Sequence, residues 1–182
     1  MVKKDLLELI NKFMNSGKIF ISHNREDLIH PINDLLENIK NPLKEKGIII
    51  FLNGSLGSGK TAFVQELGYH LGITGRMQSP TFVLMKKYDI DTELIPEMYT
   101  LVHIDAYRLE PHHKESLSVE DFINEPGTLV LIEWPTAIDL DQELAFANID
   151  FDFISGNVID SQDQVLNDIR RVKITYKNKQ PL

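Results

Sequence analysis

The stretch GSLGSGKT, residues 54 to 61, lies between the apolar run IIIFL (48–52) and a segment that places Phe63, Val64, Leu67 and Leu71 on one helical face. It satisfies G-x-x-x-x-G-K-[ST], the P-loop pattern, which demands a strand, a tight glycine-rich turn and a helix in that order. Backbone N–H groups of Leu56, Gly57, Ser58, Gly59, Lys60 and Thr61 would converge on an anion, and the helix N-terminus adds its dipole. Lys60 supplies a point charge for the β- and γ-phosphates, and the Thr61 hydroxyl suits Mg²⁺. The competing reading is a glycine-rich turn that precedes Lys-Thr by accident. In a chain of this length such a match arises on the order of 1% of the time, and the flanking strand and helix weigh against it.

A Mg²⁺–nucleotide site also needs an acid at the end of a nearby strand. TLVHID, ending at Asp105, and TLVLIE, ending at Glu133, are matched: each is Thr, then an apolar run, then a carboxylate. In a parallel sheet both acids project from the same edge as the P-loop. One would bind Mg²⁺ beside Thr61, and the other would orient the attacking water or support the first. Either acid alone would read equally well as an ordinary strand-end carboxylate. In SPTF (79–82), the Ser79 and Thr81 hydroxyls stand where a switch loop would sense a γ-phosphate; a Ser-Pro turn without a ligand is the simpler reading. Trp134, the lone tryptophan, reads as core packing or as a wall of the nucleotide site. His103 reads as a core or sheet-face histidine and is given no role.

Around these motifs the chain alternates between the two periodicities. Leu6, Leu7, Leu9, Ile10, Phe13 and Met14 predict an N-terminal helix, ended by Gly17. KIFIS (18–22) predicts a strand, and Leu28, Ile29, Ile32, Leu35, Leu36 and Ile39 predict a helix with Pro31 in its first turns. FVLMKKY (82–88) and MYTLVHI (98–104) predict strands. SLSVEDFIN predicts a short helix with Ser118 and Asp121 at capping-box spacing. IDFDFI (149–154) and RRVKITY (170–176) alternate apolar with polar, as half-exposed antiparallel strands at one edge would. The expectation is an α/β, P-loop NTPase-like domain: a mainly parallel central sheet flanked by helices, with antiparallel edge strands near the C-terminus. One domain spanning 1–182, with residues 1–17 as a helical extension, fits the length.

Composition narrows the function further. A net charge of −8 repels a phosphate backbone on average, so any nucleic acid is better handled by a partner than gripped directly. The absence of cysteine excludes disulfides and thiolate metal sites and fits a reducing cytoplasm. Glu8 and Lys12 break the early apolar run, which argues against a signal peptide, and no apolar run reaches membrane-span length.

Taken together and in order, GSLGSGKT, SPTF, HIDAYRL and LIEWP resemble the signature blocks of the TsaE (YjeE) family, the small P-loop ATPase of bacterial tRNA threonylcarbamoyladenosine synthesis. The resemblance runs from about residue 20 to 176. It implies an ATP- and Mg²⁺-dependent hydrolase that acts with TsaB and TsaD and meets tRNA only through that complex. It implies that Lys60 and Thr61 hold phosphate and Mg²⁺, that Glu133 is the Mg²⁺-site acid, and that Asp105 is a catalytic acid. It places Ser79 and Thr81 in a switch-like loop and Trp134 near the nucleotide. The early nucleotide contact of the family maps loosely onto Asn24, and its late arginine onto Arg170 or Arg171, of which Arg171 is taken as the nucleotide contact. Four positions depart from the usual blocks: Ser55 stands for Asp, Ser58 for Ala, Ala62 for a second Thr, and Thr136 for Glu.

Two other readings stay open. A small P-loop kinase would need an acceptor site and an arginine-bearing lid, yet Arg25, Arg76, Arg108, Arg170 and Arg171 form no cluster in a long insertion. A nucleotide-gated switch with negligible turnover is the other; the guanine-specifying N-K-x-D sequence is missing, and NKQP (178–181) only half matches.

Overall fold

The structure, a computed structural model, describes residues 17–75, 77–80, 83–109, 118–154, 158–159, 165–166 and 169–177. Seven strands form one sheet: β1 (Lys18–Ser22), β2 (Ile48–Gly54), β3 (Met85–Asp89), β4 (Thr100–Asp105), β5 (Thr128–Glu133), β6 (Ala147–Phe153) and β9 (Arg170–Tyr176). Their order is β1-β9-β6-β2-β5-β4-β3; β7 (Val158–Ile159) and β8 (Val165–Leu166) pair separately. The four inner strands β6, β2, β5 and β4 run parallel. β9 is antiparallel to β6, β1 to β9, and β3 to β4. The chain is therefore α/β with a mainly parallel centre.

The burial of each strand follows its place. β5 is buried along its whole length and β2 through Leu52, which is why both are written in Ile, Leu, Val and Phe without alternation. β6 alternates buried and half-buried residues because its two faces differ. One face of the sheet carries α1 (Ile29–Ile39) and α2 (Lys60–His70). Ile32, Leu35, Ile39, Phe63, Val64 and Leu67 pack there on Ile50, Leu52, Leu131, Phe151 and Ile174. The opposite face holds a second core, from Phe51, Val102, Ile104 and Ile132 to Val119, Phe122, Ile138 and Leu140. Short 3₁₀ turns at Val119–Asn124, Pro135–Ala137 and Gln142–Leu144 belong to the covering of that side.

Several expectations shift in detail. The two C-terminal strands do pair antiparallel, but β1 lies outside them and forms the rim. The Ser118–Asp121 capping box does not form: Ser118 makes no side-chain cap bond, and the segment is a 3₁₀ helix. Asp is one methylene short of the Glu or Gln that closes such a box. β3 begins at Met85, three residues late, because the Pro80 carbonyl accepts the Val83 and Leu84 N–H groups and Leu84 turns left-handed at φ 63°. The N-terminal helix and NKQP lie outside the described residues.

Phe63 is fully buried, with its ring edge-on to Phe151 at 5.6 Å. Phe63→Ala should lower the unfolding free energy by about 3–5 kcal/mol in urea titration. Ile19→Thr, on the exposed rim strand, should stay within about 0.5 kcal/mol of wild type. Tyr176 ties β9 to α1 by donating to Asp34 Oδ2 at 2.7 Å. Burial, and then Asp34, push its hydroxyl well above the usual phenol range. Above pH about 10 the unfolded chain loses this proton and the folded chain keeps it, so the contribution is complete below that pH and is lost as pH rises. Stability should fall in alkali, and Tyr176→Phe should flatten part of the decline in denaturant titrations run across that range.

Candidate functional site

The site begins where β2 ends. At Gly54, φ is 142°, and an added Cβ would lie 2.4 Å from the Phe151 carbonyl oxygen and 2.6 Å from Ser58 Oγ. Gly59 precedes α2 in the left-handed region at φ 112°. These two positions let the chain fold back tightly between strand and helix. Leu56 stands exposed at the tip, whereas Ser58 is fully buried and its hydroxyl has no hydrogen-bond partner among the described residues.

Lys60 crosses beneath this loop. Its Nζ donates to the Gly54 and Ser55 carbonyls, both at 2.9 Å, and lies 4.0 Å from the centre of the Trp134 ring. Burial holds its pKa below the ordinary lysine value, against the opposing pull of Glu133 and Asp105. The ammonium is thus held by two backbone carbonyls at the turn from β2 into α2.

The two strand-end acids meet it from one side. β4 and β5 pair so that Asp105 is opposite Glu133, and both are almost fully buried, at 4% and 2% exposure. Thr61 Oγ1 donates to Glu133, 2.8 Å from Oε1 and 3.0 Å from Oε2. His103 Nε2 lies 2.9 Å from Glu133 Oε1. Asp105 accepts from Ser79 Oγ at 3.0 Å through Oδ2 and from the Tyr107 N–H at 3.1 Å through Oδ1. Trp134 follows Glu133 in a left-handed conformation at φ 59°, uncommon for a bulky residue, with its ring 5.0 Å from that of Tyr107.

Two buried acids meet Lys60 in this corner and offer oxygen donors of the kind a divalent cation takes. The donors fit Mg²⁺: a hydroxyl and a carboxylate already within hydrogen-bond reach of each other, and no sulfur. Among the described residues no three His, Cys, Asp or Glu side chains form a ready-made metal cage. Mg²⁺ seldom uses one, taking one or two protein oxygens and completing its shell with phosphate and water.

Residues 26–161 match the family model for the threonylcarbamoyl adenosine biosynthesis protein TsaE. The chain belongs to the TsaE family. It is 36% identical over 91 residues to the tRNA threonylcarbamoyladenosine biosynthesis protein TsaE of Haemophilus influenzae, covering 50% of this chain and 53% of that protein. It is 46% identical over 93 residues to the protein of that name from a Nostoc species, covering 48% and 52%. The chain therefore spans about half the length of the curated relatives it matches. The crystal structure of Bacillus subtilis YdiB superposes with a TM-score of 0.57 over 89% of this chain and 86% of that one; at 21% identity this shows a shared fold alone.

The structure brings together most of the positions that carry the TsaE resemblance. Lys60, Thr61, Asp105, Glu133, Ser79 and Trp134 share one corner. Thr81 lies outside the described residues. Asn24 serves a local turn: its Oδ1 accepts the Asp27 N–H at 3.0 Å, and Asp27 Oδ2 accepts the His23 N–H at 2.7 Å. Arg171 pairs with Asp152 at 2.7 Å on the exposed side of the sheet. It is Arg170 that lies against the loop, its Cδ 3.3 Å from where a Cβ on Gly59 would stand. Strand parity explains this, since Arg170 shares a face with buried Val172 and Ile174. His103 is the site neighbour that the sequence reading passed over. Its visible signal was the match of TLVHID to TLVLIE, which sets His103 beside Leu131, two pairs before the acids and on the same face.

Proposed function

We propose that this chain hydrolyses ATP to ADP and phosphate and, by doing so, supports a TsaB–TsaD complex in the threonylcarbamoyl modification of tRNA in the cytoplasm. The observation that carries the reading is the in-register pair Asp105 and Glu133 at the mouth of the P-loop, with Thr61 already bonded to Glu133. Membership of the TsaE family supplies the biological setting.

On this reading each side chain has a part. The loop N–H groups and the α2 N-terminus bind the phosphates. Lys60 exchanges the Gly54 and Ser55 carbonyls for β- and γ-phosphate oxygens, trading bonds to neutral oxygens for bonds to anionic ones. Thr61 and Glu133 would hold Mg²⁺, which when bound neutralises charge on the phosphates. Asp105, fixed by Ser79 and the Tyr107 N–H, orients a water for in-line attack on the γ-phosphorus and takes up its proton. The new bond joins the water oxygen to phosphorus, and the bond to the β–γ bridging oxygen breaks. The Trp134 ring lies between Lys60 Nζ and the Tyr107 ring, beside the acids. The net charge of −8 accords with tRNA held by the partners.

Phosphate release should be slow for the chain alone and faster with TsaB and TsaD. In that complex, Lys60→Ala, Glu133→Ala and Asp105→Ala should each lower turnover by about 10²-fold or more. Near-normal turnover in both acid variants would overturn the site assignment. ADP formation that requires a nucleoside monophosphate would replace hydrolysis with kinase chemistry, and binding without turnover in the full complex would leave a nucleotide-gated switch.

A further inference from the structure

We infer that His103 is a positioning residue: through Nε2–H it pins Oε1 of Glu133, leaving Oε2 as the oxygen presented to the cation or its bound water. The inference rests on Glu133 being the metal-site acid.

His103 is 1% exposed, in the middle of β4 between Val102 and Ile104. On its strand face it follows Leu101 and precedes Asp105, so it looks toward α2 from directly behind the acids. A carboxylate offers only lone pairs, so at the 2.9 Å contact the proton belongs to Nε2. The other ring nitrogen, Nδ1, has no hydrogen-bond partner among the described residues. A buried polar atom left so is costly, and an apolar side chain such as the leucines on either side, Leu101 and Leu131, would avoid that cost. The bond to Glu133 is what the histidine contributes in return.

Thr61 cannot replace that bond. One hydroxyl carries one proton, and its distances to the two carboxylate oxygens, 2.8 and 3.0 Å, are nearly equal. Thr61 therefore tethers the carboxylate without deciding its rotation about Cγ–Cδ. His103 touches Oε1 and breaks the symmetry. Partners of this kind, behind a ligating group, commonly change metal affinity by about 10–100-fold.

The test uses Mn²⁺ in place of Mg²⁺, titrated into the full chain saturated with ADP, with free Mn²⁺ read by electron paramagnetic resonance. His103→Asn stays polar but is too short to reach Glu133; His103→Gln restores an N–H at about the right distance. Thermal unfolding checks that each variant is folded, and His103→Leu takes the place of Asn if Asn fails that check. The Asn variant should weaken Mn²⁺ binding by about tenfold or more, leave ADP binding in EDTA within about twofold, and be largely rescued by Gln. Unchanged Mn²⁺ affinity in a folded Asn or Leu variant overturns the inference. Equal losses of Mn²⁺ and metal-free ADP binding overturn it too, since they mark general damage. Glu133→Ala separates the two levels. If it keeps wild-type Mn²⁺ affinity, the assignment of the acid falls and the inference falls with it. If it loses Mn²⁺ while His103→Asn does not, only the role of His103 falls.

Discussion

Two carboxylates end neighbouring parallel strands at the same level, and the site depends on that registration. Asp105 and Glu133 face each other across the β4–β5 ladder, beside the turn that leads from β2 into α2. Charges so close and so buried would be a heavy burden without partners. Each acid has them: Ser79 and the Tyr107 N–H for Asp105, Thr61 and His103 for Glu133. Lys60 offsets part of the charge and is itself desolvated by the same walls. The two acids are therefore held in place by side-chain and backbone partners within the fold itself.

The sheet makes the registration rigid. β2 and β5 are packed on both faces, by α1 and α2 on one and by the core that includes Val119, Phe122, Ile138 and Leu140 on the other. A one-residue slip of β5 would turn Glu133 away from Thr61 and drive Trp134 into the helix side. Hydrophobic packing thus fixes which side chains meet at the polar edge.

Much of this was legible in the residues. IIIFL and TLVLIE are apolar at every position, as a strand covered on both sides must be, and GSLGSGKT admits few other backbone paths. The alternation in IDFDF and RRVKITY was legible because one face of β6 and β9 meets the helices and the other meets water. Ser118 was harder, because Ser near a helix start serves local turns as readily as caps. Phe82 to Leu84 read as strand by propensity, but the turn after Pro80 takes precedence at Val83 and Leu84. His103 was illegible in its function for a different reason. A histidine among apolar neighbours reads as core, and so it is; only the pairing of two strands 28 residues apart reveals that its partner is Glu133. That Arg170 and not Arg171 lies on the inward face was available from parity alone, once Val172 and Ile174 are taken as that face.

The account stands or falls on Mg·ATP occupying this corner. Isothermal titration calorimetry of the full chain, alone and with TsaB and TsaD, measures it directly. Saturable binding of one nucleotide per chain, weakened when Mg²⁺ is chelated and lost in Lys60→Ala, is the predicted result. No detectable binding under either condition, with the protein shown to be folded, would contradict it.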